Sequence, residues 1–490
     1  MIRASFAPPA LLGELRADRV ALATTAAALA LAAWYAIALL LGTAEIVMFI
    51  PLAAALVIAI VAARPVVGLY VEFAGALLLE QFDIPGITPL TAQTRFFQNL
   101  STFTPIPLRL SAADLLILLT FASVGVRHFV RRERPVTGPL ALAAALYAAA
   151  FALGVVIGIA RGGFDGNAAL AEVRAPLYLV ALYFLSADLI RDRRQATTIV
   201  AIFAGVVAIK ALQGILNAAA LSAADSVEAV TGHEDVVFFN AAVALALAAV
   251  VLRRTPLLPW LVGIVPFVLL AELLTERRVG FVGLAAVVLA VVVLVSRTHP
   301  RAALGIVGVS AAAVAVYLPL FWDSSGAIAE PIRALRTILG DPTMSVRDQL
   351  SDHWRVIENS NIAFTMAQLP LTGVGVGQEY LFKQEPPVPS TTFVFWRFET
   401  HNALLWLWLK AGPLGALALS FFVARVLLVS SRLFATLRDA GPRLVAVLPL
   451  ALVIAQVVFS SVELGLTYSR TMIVLGAATG LLASLGSAAE

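Results

Sequence analysis

Apolar runs of about 18 residues or more, nearly free of charge, recur along this chain from Val20 to Leu485. Inside a bilayer each backbone N–H and C=O in such a run must bond within its own segment, so the runs read as helices of a polytopic bundle. The composition agrees, with 61% apolar and 13% charged residues among 490. It excludes a soluble enzyme with one anchor, a disordered chain, a collagen and a coiled coil.

Spans are expected near 20–42, 46–63, 65–81, 112–126, 139–160, 175–190, 196–219, 236–252, 257–275, 279–296, 302–320, 402–430, 444–461 and 471–487. The fold class is therefore all-α: a polytopic transmembrane helix bundle of about 12–14 spans with a long, partly helical periplasmic loop. Three parts follow, a bundle over 1–320, the loop over 321–400 and a C-terminal membrane segment over 401–490. The first run is too long for a cleavable signal and follows Arg3, Arg16 and Arg19, which predicts a cytoplasmic N-terminus.

Alternating the spans from that start puts the arginines of 127–134, 191–194, 253–254, 297–301 and 432–443 on one side, the cytoplasm by the positive-inside rule. The opposite side receives a connector near 82–111, short connectors around 161–174 and 225–235, the turn Glu276-Arg277-Arg278, and a loop of about 80 residues from Phe321 to Thr400. Within that loop Ile328, Ile332, Leu335 and Leu339 recur at helical spacing, as do Leu350, Trp354, Ile357, Asn361 and Phe364. These predict amphipathic helices lying on the membrane or over a cavity, the second ending at Pro370.

Cysteine is absent, which removes disulfides, thiolate metal sites and cysteine nucleophiles; Lys210, Lys383 and Lys410 are the only lysines. No basic domain stands outside the bilayer, so nucleic acid is not expected as a partner. Gly373-Val374-Gly375-Val376-Gly377 fails the GxGxxG pattern at Gln378 and reads as a turn.

Chemistry is expected where polar groups open spans on the outer side. Arg174 and Arg278 are read at helix N-termini, where unpaired N–H groups and the dipole already favour an anion and a guanidinium fork matches phosphate oxygens. Headgroup contact, or pairing with Glu172 and Glu276, is the structural alternative. His401 opens a span from the outer loop, where an imidazole can act as general base, hold a hydroxyl, or merely cap the helix. His128 and His299 sit beside cytoplasmic arginines and read as interface residues.

The order of these features carries a resemblance. Glu172 to Tyr178, then Arg278-Val279-Gly280-Phe281, then a long loop with Arg347, Trp354 and Pro370-Leu371-Thr372-Gly373-Val374-Gly375 lead into His401-Asn402-x-x-Leu405 and Gly412-x-x-Gly415. From Arg174 to Leu427 the chain resembles the O-antigen ligase and polymerase superfamily of bacterial inner-membrane glycosyltransferases. The resemblance implies transfer of a glycan from undecaprenyl diphosphate, on the periplasmic face, to a hydroxyl of lipid A core, a growing polysaccharide or another acceptor. It assigns the catalytic roles to Arg174, Arg278 and His401. Two arginines with helix N-termini can stabilise the diphosphate leaving group, so neither metal nor cofactor is expected, and attack opposite the leaving group would invert the anomeric centre. Arg277 remains a rival to Arg278, and Arg347, Arg355, Arg397 and Glu399 are further substrate-binding candidates, Glu399 being close enough in sequence to orient His401. A transporter or flippase for a lipid-linked saccharide is the alternative, for which Glu72 and Lys210 are the intramembrane charges, although no internal repeat is visible.

Overall fold

The computed structural model describes residues 45–82, 84, 86–87, 89–104, 107–221, 229–324, 326–339, 346–386 and 394–486, without the side chains of 45–53, 337–338 and 346–348. The expected span at 20–42 and the residues of the 225–235 connector before 229 lie outside them. The chain divides into two units, Met1–Val67 and Gly68–Glu490. The first contributes α1 (Glu45–Ala63) and the first three residues of the next helix; everything else below concerns the second.

The helices in order are α2 (Pro65–Leu78), α3 (Leu90–Gln93), α4 (Ala112–Arg131), α5 (Ala141–Ala160), α6 (Gly166–Leu189), α7 (Arg193–Ala220), α8 (Asp235–Leu252), α9 (Leu258–Leu274) and α10 (Arg278–Ser296). Then come α11 (Pro300–Phe321), the loop helices α12 (Glu330–Ile338) and α13 (Val346–Gln368), and finally α14 (Ala403–Thr436), α15 (Ala440–Ser460), α16 (Ser469–Gly480) and α17 (Leu482–Gly486). Among the described residues ten helical segments are long and apolar enough to span a membrane, and no strand is present, so the fold is an all-α polytopic bundle. Among the described residues of the loop, two α-helices are present where two were expected.

Burial grades the bundle. α8, α15 and α16 are its centre, whereas Ala303 is the one buried residue of α11, whose remaining apolar surface suits lipid. α16 packs most extensively on α6. Gly476 and Gly480, four residues apart on α16, make that possible, because a Cβ at Gly476 would overlap the Leu179 carbonyl and one at Gly480 would lie 2.5 Å from Ser186 Cβ. This is the small-xxx-small packing that membrane helices use where apolar burial gives no driving force.

α14 is broken at Gly412, whose φ of +64° and ψ of −164° lie outside the helix, and Pro413 follows without an N–H. The Leu409 carbonyl accepts instead from Val374 N–H at 2.6 Å, so the Gly373–Gly377 turn inserts into the break. Val376 N–H bonds the Gly154 carbonyl of α5 at 2.9 Å, and Gly377 N–H donates to Glu172 of α6 at 2.6 Å. Gly375 has φ of +93° with Gly158 against it, so a side chain there is excluded by conformation and by space. The turn expected from sequence is thus a buried wedge between spans. Beneath it Lys410 pairs with Glu172 at 2.7 Å, both fully buried.

The intramembrane charges of the transporter reading divide. Lys210 contacts Glu80 and Asp235, and Arg470 binds Glu234 and Asp235 at 2.6 Å each and Glu80 at 3.3 Å, forming one closed ion cluster. Glu72 is buried, and neither of its carboxylate oxygens has a hydrogen-bond partner among the described residues.

Candidate active site

α13 presents Asp352, Arg355 and Glu358 at intervals of three residues, on one side of the helix. Each reaches a different element. Asp352 accepts from Arg278, the first residue of α10, at 3.2 and 3.4 Å. Arg355 binds Glu463 in the α15–α16 connector at 3.1 Å and the Val462 carbonyl at 3.2 Å. Glu358 takes His401: its Oε2 accepts the His401 backbone N–H at 2.9 Å, and its Oε1 lies 3.3 Å from Nδ1.

The helix is anchored for this task by its C-terminal half. Ile362 packs with Val374, Tyr380 and Leu409. Asn361 accepts from the backbone N–H groups of Lys383 and Gln384 at 2.8 and 2.9 Å, and Thr365 bonds Leu381. α13 therefore lies across the ends of α10 and α14 with its polar stripe turned toward them. A rise of about 1.5 Å per residue separates Asp352 from Glu358 by about 9 Å along the axis.

The cluster also has members that sequence reading missed: Asp352, Glu358, His233 and Glu463. Arg277, the expected rival to Arg278 and the residue before α10, contacts the His233 ring next to the start of α8. Glu463 is buried, yet Arg277, Arg355, His401 and His233 outweigh that burial and hold its carboxyl below the usual range. For His401 burial alone would lower the imidazole, but the Glu358 hydrogen bond and charge, with Glu463, raise it above its ordinary value against the opposition of Arg355. Asn402 caps α14 by accepting from Leu405 N–H at 3.1 Å, so capping is done by the neighbour of His401 and not by His401 itself.

Two expectations are corrected. Arg174 does not begin its helix: α6 starts at Gly166, capped by Asp165, which places Arg174 more than two turns inside. Its guanidinium binds Asn99 at 2.6 Å and the Arg109 carbonyl at 3.0 Å, with Asp114 at 3.4 Å, a set of partners distinct from those of Arg278 and His401. Second, Glu399 is not the residue that holds His401. Its carboxyl is buried and pushed up to about 8, first by burial and then by Glu172, while Thr467 bonds it.

Of the remaining candidates, Arg355 stands in the cluster. Arg397 binds Glu379 at 3.1 Å and Glu385 at 3.4 Å and lies over the Trp396 ring, away from those contacts. Arg347 belongs to the first turn of α13, and its side chain is outside the described residues. Among the described residues no group of three or more His, Asp or Glu side chains is arranged to hold a metal ion.

Fold and site together define a polytopic membrane protein whose extramembrane loop helix covers a cluster of arginines, histidines and carboxylates at the span ends. Residues 241–420 match the family model described as O-antigen ligase, which bears out the resemblance over that stretch and carries an O-antigen ligase or polymerase type of function in general terms. The match runs from α8 into α14 and includes Arg278, the α13 stripe and His401; Arg174 precedes it. No curated protein matches the chain.

Proposed function

We propose that the protein transfers a glycan from undecaprenyl diphosphate to an acceptor hydroxyl at the periplasmic face of the bacterial inner membrane. The observation that carries this reading is the pairing of His401 with Glu358 on the helix that also engages Arg278, all within the segment matching O-antigen ligase.

In this reading the diphosphate replaces Asp352 at Arg278, where the α10 N-terminus adds its unpaired N–H groups and dipole. The forked guanidinium stabilises charge as the bond between the anomeric carbon and the phosphate oxygen breaks. Glu358 engages Nδ1 of His401, which assigns Nε2 to the acceptor. Nε2 accepts the hydroxyl proton, the acceptor oxygen bonds the anomeric carbon from the face opposite the leaving group, and undecaprenyl diphosphate departs with the pair of electrons. The product is inverted, and the proton on His401 returns to solvent. Arg277 and Arg355 supply further positive charge, and Arg174 is the second donor-side arginine implied by the resemblance.

The test is turnover of a lipid-linked glycan donor by the purified protein in lipid. Release of free undecaprenyl diphosphate together with glycosylated acceptor supports the reading. Movement of intact donor across the bilayer without release would make the protein a flippase.

A further inference from the structure

At the end of α10 opposite Arg278, three of the basic connectors meet. A helix of 19 residues rises about 28 Å, close to the thickness of a hydrocarbon core, so this end lies at the other bilayer surface. There Arg254 after α8, His299 before α11, and Arg438 and Arg443 from the α14–α15 connection line one cavity of about 340 Å³. That volume holds roughly ten waters and falls within the range of small-ligand sites.

The lining is unevenly satisfied. Arg443 donates to the Phe434 carbonyl at 2.8 Å and to Thr298 at 3.2 Å, which fixes it. Asp439, the one acid of the lining, is countered by Arg193 at 2.7 Å. Arg254 and Arg438 are exposed and make no ion pair or side-chain hydrogen bond among the described residues. His299 bonds Thr298, and burial followed by the Arg443 charge holds its imidazole below the usual range, so at neutral pH it is an uncharged partner. Gly441 and Ala440, in the first turn of α15, also line the cavity, and α15 has no side-chain cap on its N–H groups.

The geometry points to a binding site for a phosphate group presented by an anionic lipid headgroup, held by Arg254, Arg438 and Arg443. A polar cavity at headgroup depth with surplus guanidinium forks has the chemistry for a phosphodiester, whose acyl chains would follow the lipid-facing surface of α11. The site is separate from the transferase reading and does not depend on it.

The experiment compares phosphatidylglycerol retained by the full-length protein after purification from mixed phosphatidylglycerol and phosphatidylcholine vesicles, counted by native mass spectrometry. The Arg254→Gln/Arg438→Gln double variant should lose tightly held phosphatidylglycerol on the order of tenfold relative to wild type. Arg132→Gln/Arg134→Gln, in a basic connector elsewhere, should retain it. Equal loss in both double variants would reduce the effect to surface charge and overturn the proposal, as would no loss in either. Protection against thermal unfolding by inorganic phosphate in phosphatidylcholine alone, without retained phosphatidylglycerol, would assign the cavity to a soluble anion and overturn the lipid source.

Discussion

Glu358 holds His401 twice, through its backbone N–H at 2.9 Å and at Nδ1 at 3.3 Å, although Glu358 lies within α13 and His401 in the segment that leads into α14. The first contact fixes the chain before α14 and the second fixes the ring. If His401 is the base, its neutral form is the active one, and Glu358 and Glu463 raise the pH at which that form appears. Turnover should therefore climb with pH through an inflection above the ordinary histidine value of about 6.5. Glu358→Gln should move the inflection downward and reduce the maximal rate, read from a pH profile of kcat. The stability linkage has the same sign: the bound proton favours the folded state fully below about 6.5, and this contribution is lost as pH rises through the raised value.

His401→Ala should reduce turnover about 10²–10⁴-fold while donor binding is nearly retained, because the diphosphate contacts are assigned to arginine. Binding and turnover measured on one preparation decide this. Lost donor binding would make His401 a phosphate ligand.

Arg278→Lys should be nearly as damaging as Arg278→Ala, since an ammonium keeps the charge but not the fork. Removing charge-assisted bonds worth about 1.5–3 kcal/mol corresponds to roughly ten- to hundredfold in kcat/KM. Arg174→Ala and Arg277→Ala, assayed beside it, test the second donor-side arginine implied by the resemblance and the rival to Arg278; loss in Arg277→Ala with Arg278→Ala unaffected would reverse the assignment of Arg278. Full activity in Arg174→Ala with loss in Arg277→Ala would remove Arg174 from the site.

Lys410→Met should destabilise the protein by about 3–5 kcal/mol, because it leaves the Glu172 carboxylate buried and without its charge partner. Lys410→Met combined with Glu172→Leu should recover much of the loss. Thermal unfolding of the two variants in one lipid mixture is the measurement, and equal loss in both would mean that the ion pair as such is not what matters.

Gly158→Ala should prevent correct insertion of the glycine turn, since the new methyl would overlap the Val376 carbonyl backbone, which has no freedom to move aside. The expected result is a lowered unfolding temperature with turnover lost in parallel. Gly166→Ala, where nothing stands within 4 Å, is the matched control.

The amino-acid sequence by itself determined the class of architecture, because a bilayer permits few solutions for long apolar segments and the loop helices announce themselves by period. It also singled out Arg278 and His401, whose places at span ends depend on local charge and hydropathy. Arg174 shows the limit: the helix begins at Gly166, in a stretch whose early turns are polar enough to be read as connector. The partners were decided only by the tertiary structure. Glu399 is two residues from His401, yet Glu358, forty-three residues away, holds the ring, since α13 brings its i, i+3, i+6 stripe across helix ends that are distant in the chain. Likewise Gly373–Gly377 is a wedge because Gly412 and Pro413 free the Leu409 carbonyl, and an unsatisfied acceptor in the membrane must find its donor wherever the fold supplies one.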